Sequence, residues 1–310
     1  MENFWKKQKN NFLAIAPMAG ITDSAFRQVC VSFGSDINYS EMASVDALNY
    51  SPNKTLELLY FTEMERPYVV QLFGTNPKYF EKAVALLDKR IKPDGYDINF
   101  GCPVKKVIKQ GAGAALMADL RKSKEIIKAT IESTDKPISV KTRTKSGEVQ
   151  VLDFIRNIED LDISAIMVHG RTFKQGFSGE IDCAAIKKVK EEFNGLVIAN
   201  GGVNDLESAK SILKNTGADG LGLARGILGR PWLFEEIKTG SIKNYTKKEV
   251  FDIALRHSKL MYEIKGECAI PELRKHLSWY MRGLEGASEL RLKAVSVKTI
   301  DEVRGLLELK

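Results

Sequence analysis

The sequence predicts an α/β protein: a (β/α)8 TIM barrel over residues 1–240, followed by a smaller all-α helical bundle over residues 241–310. Three observations carry this. Eight short apolar runs recur over about 240 residues, each followed by a polar or glycine-rich loop and then a segment with helical spacing. No G-x-G-x-x-G joins the first strand to its helix and the glycine clusters come late, which argues against a doubly wound sheet. Beyond "GRPWLFEEI" strands disappear and helical segments run almost continuously, with a boundary near residues 238–246.

Taken in order, strands are expected at Leu13–Ala16, Ile37–Ser40, Tyr68–Phe73, Tyr96–Asn99, Ile138–Thr142, Ala165–His169, Leu196–Ala199 and Gly220–Leu223. Between them, "NPKYFEKAVALLDKR" and "NDLESAKSILKN" place apolar residues three or four apart, as amphipathic helices require. Asn204 or Asp205 caps the second of these. In the tail, "KEVFDIALRHSKLMYEIK" and "KTIDEVRGLLELK" read as helices.

Composition narrows the function classes. No apolar run reaches the roughly 18 residues of a membrane span, and "MENFWKKQKN" lacks the pattern of a signal peptide, so the expected location is the cytoplasm, with no membrane partner. Cys30, Cys102, Cys183 and Cys268 are too scattered for a zinc cluster with three histidines, so no metal is expected and all four read as reduced thiols. Cys30, Cys183 and Cys268 suit the role of small buried hydrophobes. Net charge is +7, of which residues 241–310 hold 14 Lys/Arg against 10 Asp/Glu. A basic module beside a nearly neutral one is what a polyanion-binding appendage looks like; solvated helix faces give the same count. Nothing in the sequence demands more than a monomer.

In a barrel of this kind the chemistry sits on loops at the C-terminal strand ends, and the late loops hold phosphate. Here they read "ANGGV" and "LARGILGRPW"; Gly201 and Gly202 permit close backbone approach, and Arg225 offers a bidentate donor. Gln71, Lys141, His169 and Arg171 stand at other strand ends aimed at the same mouth. A flavin suits this set, and a sugar phosphate fits nearly as well. Cys102, between Gly101 and Pro103, reads as a loop residue. Its thiol is mostly protonated unless the neighbouring lysines lower its pKa, so it can be a general acid or a nucleophile.

"APMAGITDSAFR", "DINFGCPVKKVIKQGAGAALM", "VKTRT", "VHGRT", "VIANGGV" and "GRPWLF" together resemble the tRNA-dihydrouridine synthases, in particular the bacterial DusB-like branch, from about Leu13 to Trp232 and on into "LRKHLSWYM". The resemblance implies an FMN-dependent oxidoreductase that reduces the C5–C6 double bond of selected uridines in the D-loop region of tRNA, with NADPH as electron donor. It implies that Pro17, Met18 and Ala19 line the FMN and that Gln71 and Lys141 bond its ring system. His169 then stands near the ring or its phosphate tail, and Asn200, Gly201, Gly202, Ala224 and Arg225 hold the phosphate. Cys102 becomes the proton donor to uracil C5 and Asn99 a contact to the base. Two positions depart from the family pattern: Ala224 stands where glycine is common, and Gly202 where aspartate is frequent.

Hydride addition at C6 leaves negative charge at C5, where a neutral acid completes the reduction, and a stacked base must first be drawn out of the RNA fold. A basic tail would grip the RNA by its phosphates. Arg274 and Lys275 are the candidate contacts there, with Arg171, Lys105, Lys106 and Lys109 nearer the mouth, while Gly111 and Gly113 are expected to let the loop close over uracil. Alternatively, Arg274 and Lys275 lie on a surface helix whose Leu277 and Trp279 turn to the core. Two rival readings are a dihydroorotate dehydrogenase-like FMN barrel, which has no use for a basic helical tail, and a non-catalytic RNA-binding protein on the same scaffold.

Overall fold

The computed structural model of the chain describes residues 3–308. Its barrel strands are β1 Phe12–Ile15, β2 Ile37–Tyr39, β3 Tyr68–Phe73, β4 Gly95–Asn99, β5 Ile138–Arg143, β6 Ala165–His169, β7 Leu196–Asn200 and β8 Gly220–Leu223. Each expected strand is present to within one residue at either end. All pair in parallel, and β8 returns to β1 with Phe12 opposite Gly220 and Ile15 opposite Leu223, closing the barrel. The short β2 is bonded to both β1 and β3, and a two-residue ladder at Ala43–Ser44 extends its pairing with β3 towards the C-terminal end.

Strand residues alternate between two cores because successive side chains leave a strand on opposite faces. Leu13, Ile15, Val70, Leu72, Ile98 and Val140 face outward into the layer shared with the helices. Phe12, Ala14, Ile37, Val69, Met167 and Ile198 fill the barrel. A 3-10 turn at Phe4–Lys7, which the strand and helix pattern does not announce, closes the N-terminal end with Trp5, 2 % exposed and set edge-on to Phe12. Apolar filling stops part-way up. From there the inward positions are Gln71, Asn99, Lys141, His169 and Asn200, so the open end of the barrel is polar.

The outer helices obey their local signals. Asn76 caps Pro77–Arg90, with Pro77 in the first turn where its missing N–H costs nothing. Asp205, not Asn204, caps Leu206–Thr216, and Gly217 ends that helix in the left-handed region. After β1, the helix Ser24–Ser32 is fixed by Arg27, which is fully buried: it pairs with Glu65 at 2.6 Å and donates to the carbonyls of Thr22 and Tyr60. A buried ion pair of this kind holds only because its remaining donors and acceptors are also satisfied.

The helix Leu233–Thr239 ends at Gly240, and four further helices follow: Lys247–Lys265, Ala269–Tyr280, Ala287–Ser296 and Ile300–Leu307. They enclose a core of their own around Phe251, Met261, Leu273, Leu277 and Val303, to which the barrel side contributes Ala25 and Trp232. Gly229 explains how close the two parts come. Its φ is +72°, and a Cβ there would lie 2.2 Å from the backbone of Trp279. No helix among the described residues is long and apolar enough to cross a membrane.

Candidate active site

The polar end of the barrel opens into a cavity of about 380 Å³, within the range of small-molecule and cofactor sites. The predicted residues divide clearly around it. Pro17, Met18 and Ala19 form one wall; Gln71, Asn99 and Cys102 form a second; Lys141, His169 and Arg171 a third; and Asn200, Gly201, Gly202, Ala224 and Arg225 close the ring. They come from seven different strand ends, which only closure of the barrel brings together.

Lys105 and Lys106 lie outside the cavity, exposed on the helix Lys105–Lys109. Arg274 has a partner in its own domain: its guanidinium donates twice to the carbonyl of Val297, at 3.0 and 2.9 Å, where it caps the end of Ala287–Ser296. Lys275 donates to the carbonyl of Gly20 in the loop after β1. Both hold the tail to itself or to the barrel, and both side chains are half-buried. Leu277 does turn to the core, whereas half-buried Trp279 lines a hollow between the tail and the loop after β8. Cys268 is exposed and Cys183 half-buried; only Cys30 is the buried hydrophobe expected.

Sequence reading missed Arg143 and Phe177. Arg143 follows Lys141 in the quoted "VKTRT", so its signal was present. It donates to the carbonyl of Gly101 beside the cysteine, and to those of Thr172 and Gly176 in the loop after β6. Phe177, in that same loop, lies beneath both Arg143 and Arg225 as a cation–π partner and is 56 % exposed at the cavity rim. Its carbonyl accepts from Arg225 at 3.0 Å. A lone loop phenylalanine gives no such indication in sequence.

Four cations, Lys141, Arg143, Arg171 and Arg225, ring this cavity, and the buried Asp97 is a carboxylate that favours the charged form of Lys141. Burial and the neighbouring Arg143 bring the Lys141 amine down to about 8, while its Nζ donates to Asn200 Oδ1 at 3.1 Å. Burial, with Arg171 adding repulsion, draws Arg143 down to about 10. The His169 imidazole is held far below its ordinary range by burial and these cations, so it is neutral. Its Nε2 faces Arg171 Nη1 at 3.3 Å; a guanidinium only donates, so Nε2 accepts and the ring proton sits on Nδ1. Positive groups crowded to mutual cost are the mark of a site that holds an anion.

Cys102 is half-buried, and the expectation that nearby lysines lower its pKa is corrected. Burial raises it; the opposing contributions come from the Val104 amide, Lys141 and Arg143, whereas Lys105 and Lys106 point to solvent. The thiol is therefore protonated at neutral pH. Gly113 explains the loop: its φ is +63°, and a Cβ there would lie 2.8 Å from the Cys102 carbonyl. Ala224 takes φ −133°, outside the left-handed region that would favour glycine.

Residues 14–309 match the family described as dihydrouridine synthase. The chain belongs to the dihydrouridine synthase family. It is 36% identical to tRNA-dihydrouridine synthase B of Vibrio parahaemolyticus over 92% of this chain and 90% of that protein. It is also 33% identical to the probable tRNA-dihydrouridine synthase 1 of Synechocystis, over 94% and 84%. Among solved structures, the old yellow enzyme of Trypanosoma cruzi superposes with a TM-score of 0.55 at 10% identity, over 77% of this chain and 91% of that one. The 6-hydroxypseudooxynicotine amine oxidase of Pseudomonas geniculata gives 0.57 at 15%, and there this chain spans only half of the other. Those two likenesses concern the barrel fold. In this dihydrouridine synthase family member five of the six quoted motifs contribute residues to the cavity walls, while Gly229, Arg230 and Trp232 of the sixth line the neighbouring hollow beside the tail.

Proposed function

We propose that this protein is an FMN- and NADPH-dependent tRNA-dihydrouridine synthase, acting in the cytoplasm on uridines of the tRNA D-loop region. The observation that carries the reading is the pairing of a cation-ringed cavity with a protonated thiol on its wall. The residues fit the cofactor: Gly201 and Gly202, with φ of +97° and +75°, keep side chains out of the cavity wall that Arg225 also lines, and a Cβ at Gly201 would lie 2.7 Å from the His169 ring. Arg225 and these glycines would take the phosphate, Lys141 and Gln71 the ring system, and Met18 and Ala19 its apolar flank. FMN bound there would supply the hydride for C6 of uracil, with NADPH as the source of its electrons.

The remaining chemistry belongs to the chain. Cys102 gives its proton to C5 as charge develops there; the thiolate left behind regains a proton from solvent, aided by a pKa above the ordinary thiol range. Asn99 donates to a carbonyl of the base. Phe177 and Val104, both exposed at the rim, offer surfaces on which an extruded base stacks. Lys105, Lys106 and Arg282, all exposed, meet the phosphates. A single chain completes the cavity, which supports a monomer.

The test is to incubate purified protein with FMN, NADPH and unmodified tRNA and to map dihydrouridine by mass spectrometry. Dihydrouridine in the D-loop region supports the reading. Reduction or oxidation of free pyrimidine acids without tRNA would favour the dihydroorotate dehydrogenase-like alternative. A colourless protein that cannot be reconstituted with FMN would favour an RNA-binding scaffold.

A further inference from the structure

We infer that Asp97 is a positioning residue for the proposed reaction: it sets the direction of a hydrogen-bond chain that runs through the side chains of Gln71 and Asn99 to the backbone of Cys102. The inference rests on the dihydrouridine synthase reading and deepens it. Asp97 is fully buried beneath the cavity. Its Oδ1 accepts from Ser139 Oγ and its Oδ2 from Gln71 Nε2, both at 2.7 Å. Gln71 Oε1 accepts from Asn99 Nδ2 at 2.8 Å, and Asn99 Oδ1 accepts the N–H groups of Gly101 at 3.0 Å and Cys102 at 2.9 Å.

A side-chain amide has a donor end and an acceptor end of nearly the same shape, so its orientation is set only by its partners. Here both ends of the chain are one-way. An ionised carboxylate only accepts, and backbone N–H groups only donate. Each amide between them therefore has one permitted orientation. Turning Gln71 over would set its oxygen against Asp97 and its NH2 against that of Asn99.

The consequence reaches the cavity. The oxygens of both amides are occupied within the chain, and each NH2 keeps one hydrogen; that of Asn99 lies towards Met42 Sδ at 3.7 Å. Asn99 Oδ1 is thus filled by two N–H groups and Gln71 Oε1 is turned to Asn99, so each amide has an NH2 hydrogen left to offer, which suits the carbonyl oxygens of an isoalloxazine and of uracil. The same chain pins the corner at Gly101 and Cys102, so the carboxylate inside the barrel orders the thiol at its rim. Burial raises Asp97 to about 6, while the hydrogen bonds from Gln71 and Ser139 and the charge of Lys141 favour the ionised form. The other groups around it, Gln71, Ser139 and Tyr39, are neutral.

A charge-swap cycle tests this. Gln71→Glu sets two carboxylates against each other and breaks the chain. Asp97→Asn keeps the shape but removes the obligate acceptor. The double variant Asp97→Asn/Gln71→Glu moves the carboxylate one link along: the new amide at 97 donates to the new carboxylate at 71, which still accepts from Asn99. Three quantities are read for each variant alongside its melting temperature: the FMN dissociation constant, the rate of Cys102 alkylation by iodoacetamide followed at that residue by mass spectrometry, and the single-turnover rate at which tRNA reoxidises the reduced flavin.

Gln71→Glu is expected to alter the alkylation rate and slow reoxidation, and Asp97→Asn to do so less. The double variant should recover reoxidation by at least ~10-fold over the product of the single effects, as directly coupled residues do. Single effects that simply multiply, or a Gln71→Glu variant with unchanged alkylation, would overturn the inference. Alkylation needs no reaction with tRNA. Coupling seen there while the unaltered protein makes no dihydrouridine would therefore refute the proposed function and leave the chain standing.

Discussion

The side-chain oxygen of Asn99 accepts the backbone N–H of Cys102 at 2.9 Å, so the residue that ends β4 also fixes where the thiol stands. Strand and loop are thereby one unit, anchored below through Gln71 and above through Arg143, whose Nε holds the Gly101 carbonyl at 2.7 Å. Four variants probe the parts of this arrangement separately.

Cys102→Ala removes the acid and none of the residues proposed to hold the cofactor. Flavin content and the rate of flavin reduction by NADPH should match the parent protein, while dihydrouridine formation falls by roughly 10²- to 10⁴-fold, the span of a lost general acid. Stopped-flow absorbance separates the two half-reactions. Full dihydrouridine formation in this variant would remove Cys102 from the mechanism.

Lys141→Met should weaken FMN binding and yet stabilise the protein without cofactor. An amine held at about 8, below its ordinary 10.5, binds fewer protons folded than unfolded in that window. The charged form thus costs stability at neutral pH, and stability rises as pH climbs from about 8 towards 10.5. Relief of that cost is on the order of 1 kcal/mol. Melting curves of the apoprotein at pH 7 and pH 9.5 check the sign: the variant's advantage should shrink at the higher pH. For the parent, FMN affinity should fall above pH 8 as the ammonium is lost.

Arg143→Lys keeps the charge but not the fork that reaches three carbonyls in two loops. Both the Gly101 corner and the loop carrying Phe177 should loosen. We expect faster proteolytic cleavage between residues 170 and 182, and a loss of dihydrouridine formation larger than the loss of FMN affinity. Equal losses in the two would make Arg143 a cofactor residue only.

Gly229→Ala tests how the tail docks. A methyl group there would meet the Trp279 backbone, in a conformation with φ of +72° that alanine rarely adopts. A destabilisation of about 2 kcal/mol or more is expected from the combined clash and strain. FMN should still bind the folded fraction, because no cavity wall is altered, whereas tRNA affinity should drop as the tail is displaced. Filter-binding titrations beside flavin fluorescence read the two effects independently.

The sequence by itself determined the barrel and most of its site. Strand period, helix caps and glycine placement act over a few residues, so Tyr68–Phe73, a cap at Asn204 or Asp205 and the Gly201–Gly202 turn are legible where they stand. Motifs at strand ends could be assigned to one mouth because a closed parallel barrel puts all such ends on the same face. What only the tertiary structure decided were the partners. Arg274 and Lys275 look like free charges in a basic tail, yet each reaches a carbonyl that folding brings to it, in one case 255 residues away in the chain. The Cys102 thiol sits near three lysines in sequence, and those lysines face solvent while burial governs its proton. Desolvation and hydrogen-bond partnership depend on distances across the fold, and a local pattern carries no record of them.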